Sequence, residues 1–564
     1  MNAQTANKNW CARTDLTENE RAELKAMEGD TIRLAKAFGA NLHFGTAGLR
    51  GIMGMGTNCM NRFTVSYATA GIANRLIGLG KPNATVVIST DSRLNHIEFA
   101  RVTAQVLASF GHKVLLWDSP TATPILSWSV RHFGCDGGIM ITASHNPKDY
   151  NGYKAYDRTG CQLNAQDANA VTTAAAPYID GKPLPAQKDF YALVEEGSIV
   201  LLHDALNLYL DLVEKTVRPL DTCPDTALTI GYTPLHGVGG APVRALLERN
   251  GFSLHLVDNQ FAPDGHFPTI ATPNPELSVA FDGLFALARE KDCDLLLATD
   301  PDSDRIGVAA KDKDGQWVRI TGNELGALLI DYIAQTAGVH PGDTIVTTIV
   351  TSSFPKEVAR HHGFSLKETF TGFKYIGAVA TALETDTDAR FVFGFEESYG
   401  YLYGNHARDK DAIVTAYLVS AMARYDKARG LSLIDHLEAL YQKVGYFSDT
   451  LINLVFDPIP GQESVSDTLM RHVRAYPPET IAGHSVIKKI DYINGFADLP
   501  AENVIQYELS NGSMACLRPS GTEPKMKCYI SARGETMSAA RTLSEDVTSA
   551  FHDLVARLKE DALS

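Results

Sequence analysis

Four short polar segments of this sequence combine residue types whose spacing could support chemistry. The first is TASHNP at positions 142–147, in which Ser144 directly follows an apolar run. A serine held beyond a buried strand by an Asn-Pro turn can present its hydroxyl to a cleft as a nucleophile. His145 beside it could move a proton or bind an anionic oxygen. Taken alone, the segment also fits a plain turn in which Ser144 caps a backbone amide.

The second segment is DPDSDR at positions 300–305, which places Asp300, Asp302 and Asp304 at alternate positions. Three carboxylates on a tight turn can converge on a hard cation. An EF-hand is excluded, because its sixth and twelfth positions hold Arg305 and Lys311 instead of glycine and glutamate. Few protein carboxylates with room for an outside oxygen suit Mg²⁺. The alternative without a bound ion is an acidic turn exposed to solvent.

The third segment is GFEESYG at positions 394–400, followed by HARDK at 406–410. We expect Glu396 and Ser398 to alternate along an extended chain and therefore to face one side. A carboxylate and a hydroxyl there could bind neighbouring hydroxyls of a sugar, although an ordinary loop is compatible with the same residues. Lys410 and Arg408 add positive charge.

The fourth segment is RPSGTEPK at positions 518–525. Arg518 can grip a phosphate through two parallel hydrogen bonds, and Ser520, Gly521 and Thr522 could form an anion-binding nest with Lys525 nearby. A hairpin loop is the alternative. Because the Walker spacing G-x-x-x-x-G-K-[ST] is absent, a nucleoside triphosphate is not the implied ligand.

Three further segments complete the set of candidate loops. The glycine-rich FGTAGLRG at 44–51 delivers Arg50, and NGYK at 151–154 brings Lys154 close enough to Ser144 to share its cleft. HGVGG at 236–240 follows a strand but lacks the G-x-G-x-x-G spacing of a dinucleotide site, so we expect a structural role for it.

Alternating strand and helix patterns must position these loops. Strand patterns begin at 84, 228 and 344, and the rounds that follow close near 144, 300 and 396. In the third round we predict helices at 354–362 and 375–383. Such βαβ rounds imply parallel strands, whose carboxyl ends are where open α/β sheets bind ligands. The irregular separations exclude a solenoid and favour three related domains.

The two ends of the chain differ from this pattern. A capping box at Thr17–Glu20 predicts a helix that runs to about Phe38. From about Gly445 we predict a smaller α+β domain with strands at 509–517 and 526–530 and a long helix to about Leu558. The resulting α/β fold has domains at 1–215, 216–322, 323–445 and 446–564.

Composition limits the class of protein. Hydrophobic residues make up 45% and charged residues 21% of the 564 residues, as in soluble globular proteins. The net charge of −15 argues against nucleic acid or an anionic membrane as a partner. The eight cysteines are scattered and form no C-x-x-C pair, as is typical of free thiols in a reducing compartment. The sequence has no apolar run of 18 residues and no signal-peptide pattern in its first 16 residues. We therefore expect a cytoplasmic protein.

In combination and order, these motifs resemble the α-D-phosphohexomutase superfamily, the phosphoglucomutases and phosphomannomutases. The resemblance extends from Phe44 to about Lys525. It implies four domains around a central cleft, the first three being related α/β units. It also implies that Ser144 is the phosphoserine of the active enzyme. The metal ligands it implies for Mg²⁺ are an oxygen of that phosphoserine with Asp300, Asp302 and Asp304.

The resemblance also assigns the remaining site residues. Glu396 and Ser398 occupy its sugar-binding positions, and the distal phosphate site comprises Arg518, Ser520, Gly521 and Thr522, with Lys525 and Lys374 also assigned to the substrate. The positive residues around the reacting phosphate are Arg50, His145, Lys154, Arg305 and Lys410. The general acid or base is left open among Lys154, His145 and Lys410.

Several departures bear on the substrate. Pro301 and Ser303 stand where many members have glycine, and GFEESYG is longer than the common G-E-x-S-G form. With TASHNP and TGFK at 371–374, these features resemble the branch of phosphoglucomutase-2 and phosphopentomutase enzymes. The expected reaction interconverts hexose 1-phosphate and hexose 6-phosphate, most favourably of glucose, through glucose 1,6-bisphosphate, which would also act as an activator.

Other functions fit the same residues. The substrate could be a mannose or pentose phosphate, and the chain could instead be a phosphoserine-dependent phosphatase or a sugar-phosphate binder without catalysis. The oligomeric state is left open. We expect the fourth domain to open and close about residues near Gly445. We also expect the acidic protein to gather its cations around one cleft: Arg50, Lys154, Arg305, Lys374, Arg408, Lys410, Arg518 and Lys525.

Overall fold

The computed structural model describes residues 2–45, 48–455, 464–519 and 525–563. Four sheets organise these residues, and we number domains I to IV by the sheet that each contains. The predicted α/β architecture, with three related domains and a fourth α+β domain, is confirmed. In the described residues, no helix is long and apolar enough to cross a membrane.

Domain I contains a six-stranded sheet in the order β1-β5-β4-β2-β3-β6. Strands β4, β2, β3 and β6 are parallel, and β5 and β1 are antiparallel additions at one edge. Its elements are α1 Ala3–Cys11, α2 Glu18–Lys25, α3 Thr31–Phe38, β1 Leu49–Ile52, α4 Arg62–Gly78, β2 Thr85–Thr90, α5 His96–Ser109, β3 Lys113–Trp117, α6 Thr123–His132, β4 Gly137–Ile141, β5 Tyr150–Asp157, α7 Ala165–Ile179, α8 Phe190–Glu195 and β6 Ile199–Leu202, followed by α9 Leu206–Val217.

The predicted capping box at the N-terminal end is confirmed, but the single helix to Phe38 is wrong. Thr17 and Glu20 cap α2 reciprocally. The chain then turns through Gly29, whose φ of +82° suits glycine, and Asp30 begins a new helix by accepting the N–H groups of Ile32 and Arg33.

Domains II and III repeat the plan of domain I. Their sheets have the orders β11-β10-β9-β7-β8 and β13-β12-β14-β15. Domain II comprises β7 Thr229–Thr233, α10 Gly240–Arg249, β8 Ser253–Leu256, α11 Asp258–Phe261, α12 Asp282–Glu290, β9 Leu295–Thr299, β10 Ile306–Lys311 and β11 Trp317–Ile320. Domain III comprises α13 Gly322–Ala337, β12 Asp343–Thr348, α14 Ser353–His362, β13 Ser365–Thr369, α15 Phe373–Leu383, β14 Arg390–Glu396, β15 Gly400–Tyr403, α16 Ala412–Ala428 and α17 Leu433–Val444.

The shared plan explains where the three site loops lie. In each domain, one parallel strand (β4, β9 or β14) ends in a site loop and pairs with the antiparallel strand that follows it in the chain. The three loops therefore leave equivalent carboxyl ends, as the sequence pattern predicts. Strand β13 lies at the edge of its sheet and, along the chain, between the two helices predicted for the third round. The sequence pattern does not predict this strand, because SLKET is mostly polar and exposed.

Domain IV is more extensive than predicted. Its six-stranded antiparallel sheet has the order β16-β21-β20-β19-β18-β17. The elements are β16 Tyr446–Val455, α18 Val465–Ala475, β17 Thr480–Ile481, β18 His484–Asp491, β19 Ile505–Leu509, β20 Met514–Pro519, β21 Lys525–Gly534 and α19 Met537–Leu563. The predicted strand at 509–517 is correct only for residues 514–517, which belong to β20; Leu509 ends β19, and between the two strands lies a turn in which Gly512 has a φ of +86°.

Helix α16 joins the first three domains. Nearly all of its residues are buried, on every side of the helix, as in a helix enclosed by other elements. It packs against α9, α10, α13, β9 and β15 and belongs to the largest hydrophobic core. Helix α16 therefore connects the cores of the domains that carry the three site loops.

Candidate functional site

The carboxyl ends of β4, β9 and β14 open onto one cleft of about 650 Å³. Strands β16, β20 and β21 of domain IV form part of its wall. Most of the candidate residues line this cleft: Arg50, Ser144, His145, Lys154, Asp304, Arg305, Lys374, Glu396, Ser398, Lys410 and Arg518. The structure thus brings together segments that lie far apart in the sequence.

Ser144 lies in the connection between β4 and β5 and is almost completely buried. Its backbone has a φ of +52°, which is unusual for a residue other than glycine, and its N–H donates to Thr142 Oγ1 at 2.8 Å. Its hydroxyl donates to Asp300 Oδ2 at 2.7 Å and lies 3.2 Å from His145 Nδ1. The serine of domain I therefore meets the acidic loop of domain II directly.

Asp300, Asp302 and Asp304 are buried and place one carboxylate oxygen each within 4.8 Å of the others. Asp300 Oδ1 accepts the N–H groups of Asp304 and Arg305 at 3.1 and 3.0 Å, which closes the turn. Ser303, at one of the positions where related loops have glycine, adopts a φ of +55°.

This donor set fits Mg²⁺. In the part of the chain that the structure describes, Asp302 Oδ1 and Asp304 Oδ1 are buried without a hydrogen-bond partner. Such oxygens are costly unless a cation or donor approaches them. Clustered carboxylates are the ligands that hard divalent cations prefer.

Two lysines offset the charge of the acidic loop. Lys154 Nζ lies 2.7 Å from Asp302 Oδ2 and 3.1 Å from Asp304 Oδ2. Lys410 Nζ lies 3.2 Å from Asp304 Oδ2 and 2.9 Å from Asp409 Oδ1. Burial alone would lower the pKa of each lysine, but the carboxylates raise it, so both are ammonium groups.

The acid triad responds to the same charges. Burial raises the pKa of Asp300 well above its usual value, and the neighbouring Asp302 and Asp304 raise it further. Burial acts in the same direction on Asp302, but Lys154 holds the pKa of that carboxyl below its usual range. The triad therefore contains carboxyls of unequal proton affinity.

Arg50, His145 and Arg305 complete the positive side of the cleft. Arg50 Nη1 donates to Asn146 Oδ1 at 2.9 Å, and Arg305 Nη1 donates to Glu276 Oε1 at 2.8 Å. Burial lowers the pKa of His145 well below its usual value, and Arg305 and Arg50 lower it further. The imidazole is therefore neutral and can accept a proton.

The third loop differs from the extended arrangement that the sequence predicts. Glu396 is the last residue of β14, whereas Ser398 lies in the tight turn that leads to β15, where Tyr399 has a φ of +66°. The alternation prediction is wrong, because the hairpin reverses directly after Glu396, although both side chains still line the cleft. Glu396 Oε1 accepts the N–H of Gly372 at 2.7 Å.

Domain IV supplies a second positive region. Arg518 of β20 lies directly opposite Lys527 of β21, and both line the cleft with Lys374 of α15. Among the described residues, Lys527 lines the cleft, whereas the predicted Lys525 does not. Lys527 could have been found from the sequence, because it lies two residues after Lys525 in the same strand and residues at this spacing face one side of a strand. The predicted Ser520, Gly521 and Thr522 lie outside the described residues.

Arg408 does not line the cleft, contrary to expectation. Its side chain is buried between domains I and III, where Nε donates to Thr381 Oγ1 at 3.0 Å and the guanidinium pairs with Glu384. Its backbone N–H donates to Ser127 Oγ at 2.8 Å. The position of Arg408 in its motif predicts a place in the cleft, but its side chain and backbone instead contact domains III and I.

The HGVGG segment supports the acidic loop, in line with its expected structural role. Val238 N–H donates to Pro301 O at 2.9 Å. A side chain at Gly237 would place its Cβ 2.4 Å from Pro301 Cα, so glycine is needed for this close approach.

The fold and the cleft define a four-domain α/β protein in which a buried serine, an acid triad and two groups of cations meet. Three family models match within residues 41–444: phosphoglucomutase/phosphomannomutase alpha/beta/alpha domain I at residues 41–178, domain II at 207–315 and domain III at 321–444. A phosphoglucomutase of Staphylococcus epidermidis is 39% identical over 504 residues, covering 87% of this chain and 90% of the relative. A phosphoglucomutase of Staphylococcus aureus is 36% identical over 514 residues, covering 89% and 91%.

Solved structures share the fold. The Paramecium phosphoprotein pp63/parafusin, a phosphoglucomutase in its open form, has a TM-score of 0.73 at 18% identity and covers 92% of this chain and 96% of its own. A phosphoglucomutase/phosphomannomutase family protein of Burkholderia thailandensis has a TM-score of 0.68 at 18% identity, with 91% and 97% covered. The chain belongs to the phosphoglucomutase/phosphomannomutase family of the α-D-phosphohexomutase superfamily, as its motifs predict.

Proposed function

We propose that this hexose-phosphate mutase, an isomerase that transfers a phosphoryl group, interconverts glucose 1-phosphate and glucose 6-phosphate. The observation that carries the proposal is the 2.7 Å hydrogen bond from Ser144 Oγ to Asp300 Oδ2, in a cleft that Arg518 also lines. A nucleophile beside a cation site, with a second anion-binding region in the same cleft, fits a substrate that carries phosphate at one end and reacts at the other.

Ser144 in its phosphorylated form supplies the transferred group. The bond between phosphorus and Ser144 Oγ breaks as a bond to the free sugar hydroxyl forms, and the proton of that hydroxyl passes to a base. Among the residues that line the cleft, the neutral His145 is the candidate base, and the ammonium groups of Lys154 and Lys410 are the candidate acids that protonate the departing Ser144 Oγ. The product of this half-reaction is glucose 1,6-bisphosphate, and its other phosphate returns to Ser144 Oγ after the sugar has turned end for end.

The acidic loop would hold Mg²⁺ through Asp300, Asp302 and Asp304, together with an oxygen of phosphorylated Ser144. When bound, the ion offsets the charge that the transferred phosphoryl group carries between donor and acceptor. Arg50, Arg305, Lys154 and Lys410 add fixed positive charge around the same group.

The sugar and its resting phosphate would occupy the remainder of the cleft. Glu396 and Ser398 would bind sugar hydroxyls, and Lys374, Arg518 and Lys527 would bind the phosphate that does not react. Ser520, Gly521, Thr522 and Lys525 would take part in binding the same phosphate, as the resemblance implies. Because the bisphosphate must reorient, we propose that domain IV opens about Gly445, which has a φ of +105° at the junction of α17 and β16.

The test is a substrate panel with Mg²⁺ and a catalytic amount of the matching sugar bisphosphate. We expect glucose phosphates to give the highest kcat/KM; a higher value for mannose or pentose phosphates would replace the proposed sugar. Free phosphate released faster than isomer would indicate a phosphatase. No turnover of any sugar phosphate, with tight binding, would indicate a binder.

The variant Ser144→Ala should abolish turnover and the mass increase of one phosphoryl group on treatment with glucose 1,6-bisphosphate. Ser420→Ala is the matched control, because Ser420 is also buried but donates to Ala416 O within α16. Normal turnover in Ser144→Ala would refute the mechanism.

We also place the enzyme in the cytoplasm. All eight cysteines are free thiols, and five of them are buried. Free thiols in this number suit a reducing compartment. Retention of full activity in a glutathione buffer of cytosolic composition, with loss on oxidation, would agree with this placement.

A further inference from the structure

The side chain of Arg93 binds the backbone of the loop at 142–149, which carries Ser144 and is called the serine loop here. Arg93 lies three residues beyond the end of β2 at Thr90, and none of its side chain is exposed. Its Nη2 donates to Ser144 O at 2.6 Å and also to Asn146 O. Its Nη1 donates to Pro147 O and Tyr150 O at 2.8 Å each. One planar group thus binds three carbonyl oxygens of the loop and the carbonyl oxygen of Tyr150, the first residue of β5.

A second chain of hydrogen bonds holds the amide side of the same serine. Asp91 accepts the N–H of Arg93 at 2.9 Å and lies 3.4 Å from its guanidinium. Thr142 Oγ1 donates to Asp91 Oδ2 at 2.5 Å and accepts the N–H of Ser144 at 2.8 Å. Both peptide groups of Ser144 are therefore fixed, which its positive φ requires, since an L-residue leaves that conformation unless its surroundings hold it.

The Arg93 segment is also anchored to domain II. Ser92 Oγ donates to His236 O at 2.9 Å, and the Arg93 guanidinium lies 5.1 Å from the centroid of the Phe267 ring. The backbones of Arg93 and Gly265 form a parallel bridge. The residues that fix the serine are thus in contact with the domain that supplies the acid triad.

We propose that Arg93 is a positioning residue that fixes Ser144 Oγ relative to the acid triad; this inference rests on the proposed phosphoserine function. Arg93 is fully buried and does not line the cleft, so we assign it no contact with the substrate. Misplacing a nucleophile by about 1 Å can reduce a rate by about 10²-fold. Loss of the Arg93 contacts should therefore lower kcat and the rate of Ser144 phosphorylation, with little effect on KM.

The variant Arg93→Lys keeps the positive charge but loses the planar guanidinium whose N–H groups donate to several carbonyls at once. The molecule offers a matched control in Arg424 of α16, which is equally buried and pairs with Asp221 at 3.2 Å. Its guanidinium donates to the carbonyls of Pro224 and Asn250 and lies 3.6 Å from the centroid of the Phe252 ring. Arg424 has the same kind of surroundings as Arg93, but it does not contact the serine loop.

The experiment compares Arg93→Lys with Arg424→Lys by kcat, KM, thermal midpoint and the rate at which glucose 1,6-bisphosphate adds a phosphoryl group to Ser144. For Arg93→Lys we expect kcat and the labelling rate to fall by about 10- to 100-fold with KM within threefold. For Arg424→Lys we expect both rates to stay within twofold at a comparable loss of thermal midpoint. Equal rate losses in the two variants, or unchanged rates in Arg93→Lys, would overturn the proposal.

Thr142 provides a second pair of variants in case Arg93→Lys does not fold. Thr142→Val removes the hydroxyl that connects Asp91 to the Ser144 amide, and Thr142→Ser restores it. We expect slow labelling in the first and recovery in the second; equal labelling in both would count against the proposal. If the wild-type protein labels Ser144 but prefers another sugar, only the glucose assignment fails. If the wild type does not label Ser144, the proposed function fails, and this inference fails with it.

Discussion

The ammonium group of Lys154 lies between two of the three carboxylates of the acid triad, 2.7 Å from Asp302 Oδ2 and 3.1 Å from Asp304 Oδ2. Lys154 belongs to β5 and pairs with Met140 in the antiparallel ladder between β5 and β4. All the partners are buried, so solvent screens these charges weakly. The lysine and a bound cation would therefore share the same carboxylates.

Lys154→Met should destabilise the metal-free protein and make it more dependent on Mg²⁺. Removal of one partner from a buried ion pair leaves uncompensated charge, at a cost of about 3–5 kcal/mol. We expect a lower thermal midpoint in EDTA and a larger increase on addition of Mg²⁺ than in the wild type. Lys188→Met, at an exposed lysine paired with Glu196, is the control and should behave like the wild type. Equal Mg²⁺-induced shifts in wild type and Lys154→Met would contradict the prediction.

Asp300→Asn should reduce kcat by roughly 10²- to 10³-fold, because it removes the carboxylate that accepts the Ser144 hydroxyl and that would hold Mg²⁺ beside the reacting group. The amide also weakens the metal site, so the Mg²⁺ concentration needed for half-maximal activity should rise. The steady-state rate as a function of Mg²⁺ concentration measures both effects. Asp312→Asn, in the domain II turn where Asp312 accepts the N–H groups of Asp314 and Gln316, should leave both values near wild type.

Arg518→Gln should raise KM for the sugar phosphate by about 10- to 100-fold, with a smaller change in kcat. Like charges directly opposite on neighbouring strands repel, and Arg518 faces Lys527 in this way. An anion between them would relieve the repulsion through charge-assisted hydrogen bonds worth about 1.5–3 kcal/mol. Burial lowers the pKa of Lys527, and Arg518 and Lys525 lower it further, in accord with this repulsion.

Inorganic phosphate gives an independent check on Arg518. It should raise the thermal midpoint of the wild type and have less effect on Arg518→Gln. Lys488→Gln, at an exposed lysine of β18 paired with Glu508, is the control. An unchanged KM in Arg518→Gln would show that the resting phosphate binds elsewhere.

The repeated α/β pattern and the main site loops could be predicted from the sequence, because each loop directly follows an apolar strand. Ser144, Asp300 and Glu396 follow or end the last parallel strand of their rounds. Local composition was enough for these positions. It was not enough for β13, whose residues are mostly polar at a sheet edge.

Residues that act through distant contacts could not be predicted. Arg93 meets Ser144 across 51 positions of sequence, and its neighbours in the chain do not indicate a clamp. Arg408 lies in a motif near the cleft, yet its partners Thr381 and Glu384 come from α15 and the residue that follows it. In both cases the packing of separate segments decides what the guanidinium contacts.

A buried imidazole outside the cleft is expected to make the stability of the chain depend on pH. His436 of α17 lies 2.8 Å from Asp426 through Nδ1 and 2.8 Å from Asp331 through Nε2. Burial alone would lower its pKa, but the two carboxylates raise it to about 9. His362 also contacts Asp331, and Arg429 lies 4.0 Å from Asp426. The cluster connects α13, α14, α16 and α17 in domain III.

The sign of this effect follows from the raised pKa. The protonated imidazole stabilises the folded state fully below the unfolded-state pKa of about 6.5, and the stabilisation disappears as pH rises through about 9. The difference corresponds to on the order of 3 kcal/mol. The thermal midpoint of the wild type should therefore fall between pH 6.5 and 9.5. His436→Gln should unfold at a lower temperature at pH 6 and show a shallower decline, whereas His361→Gln, at an exposed histidine of α14, should follow the wild-type curve. Parallel pH curves for wild type and His436→Gln would show that the imidazole does not carry this charge in the folded protein.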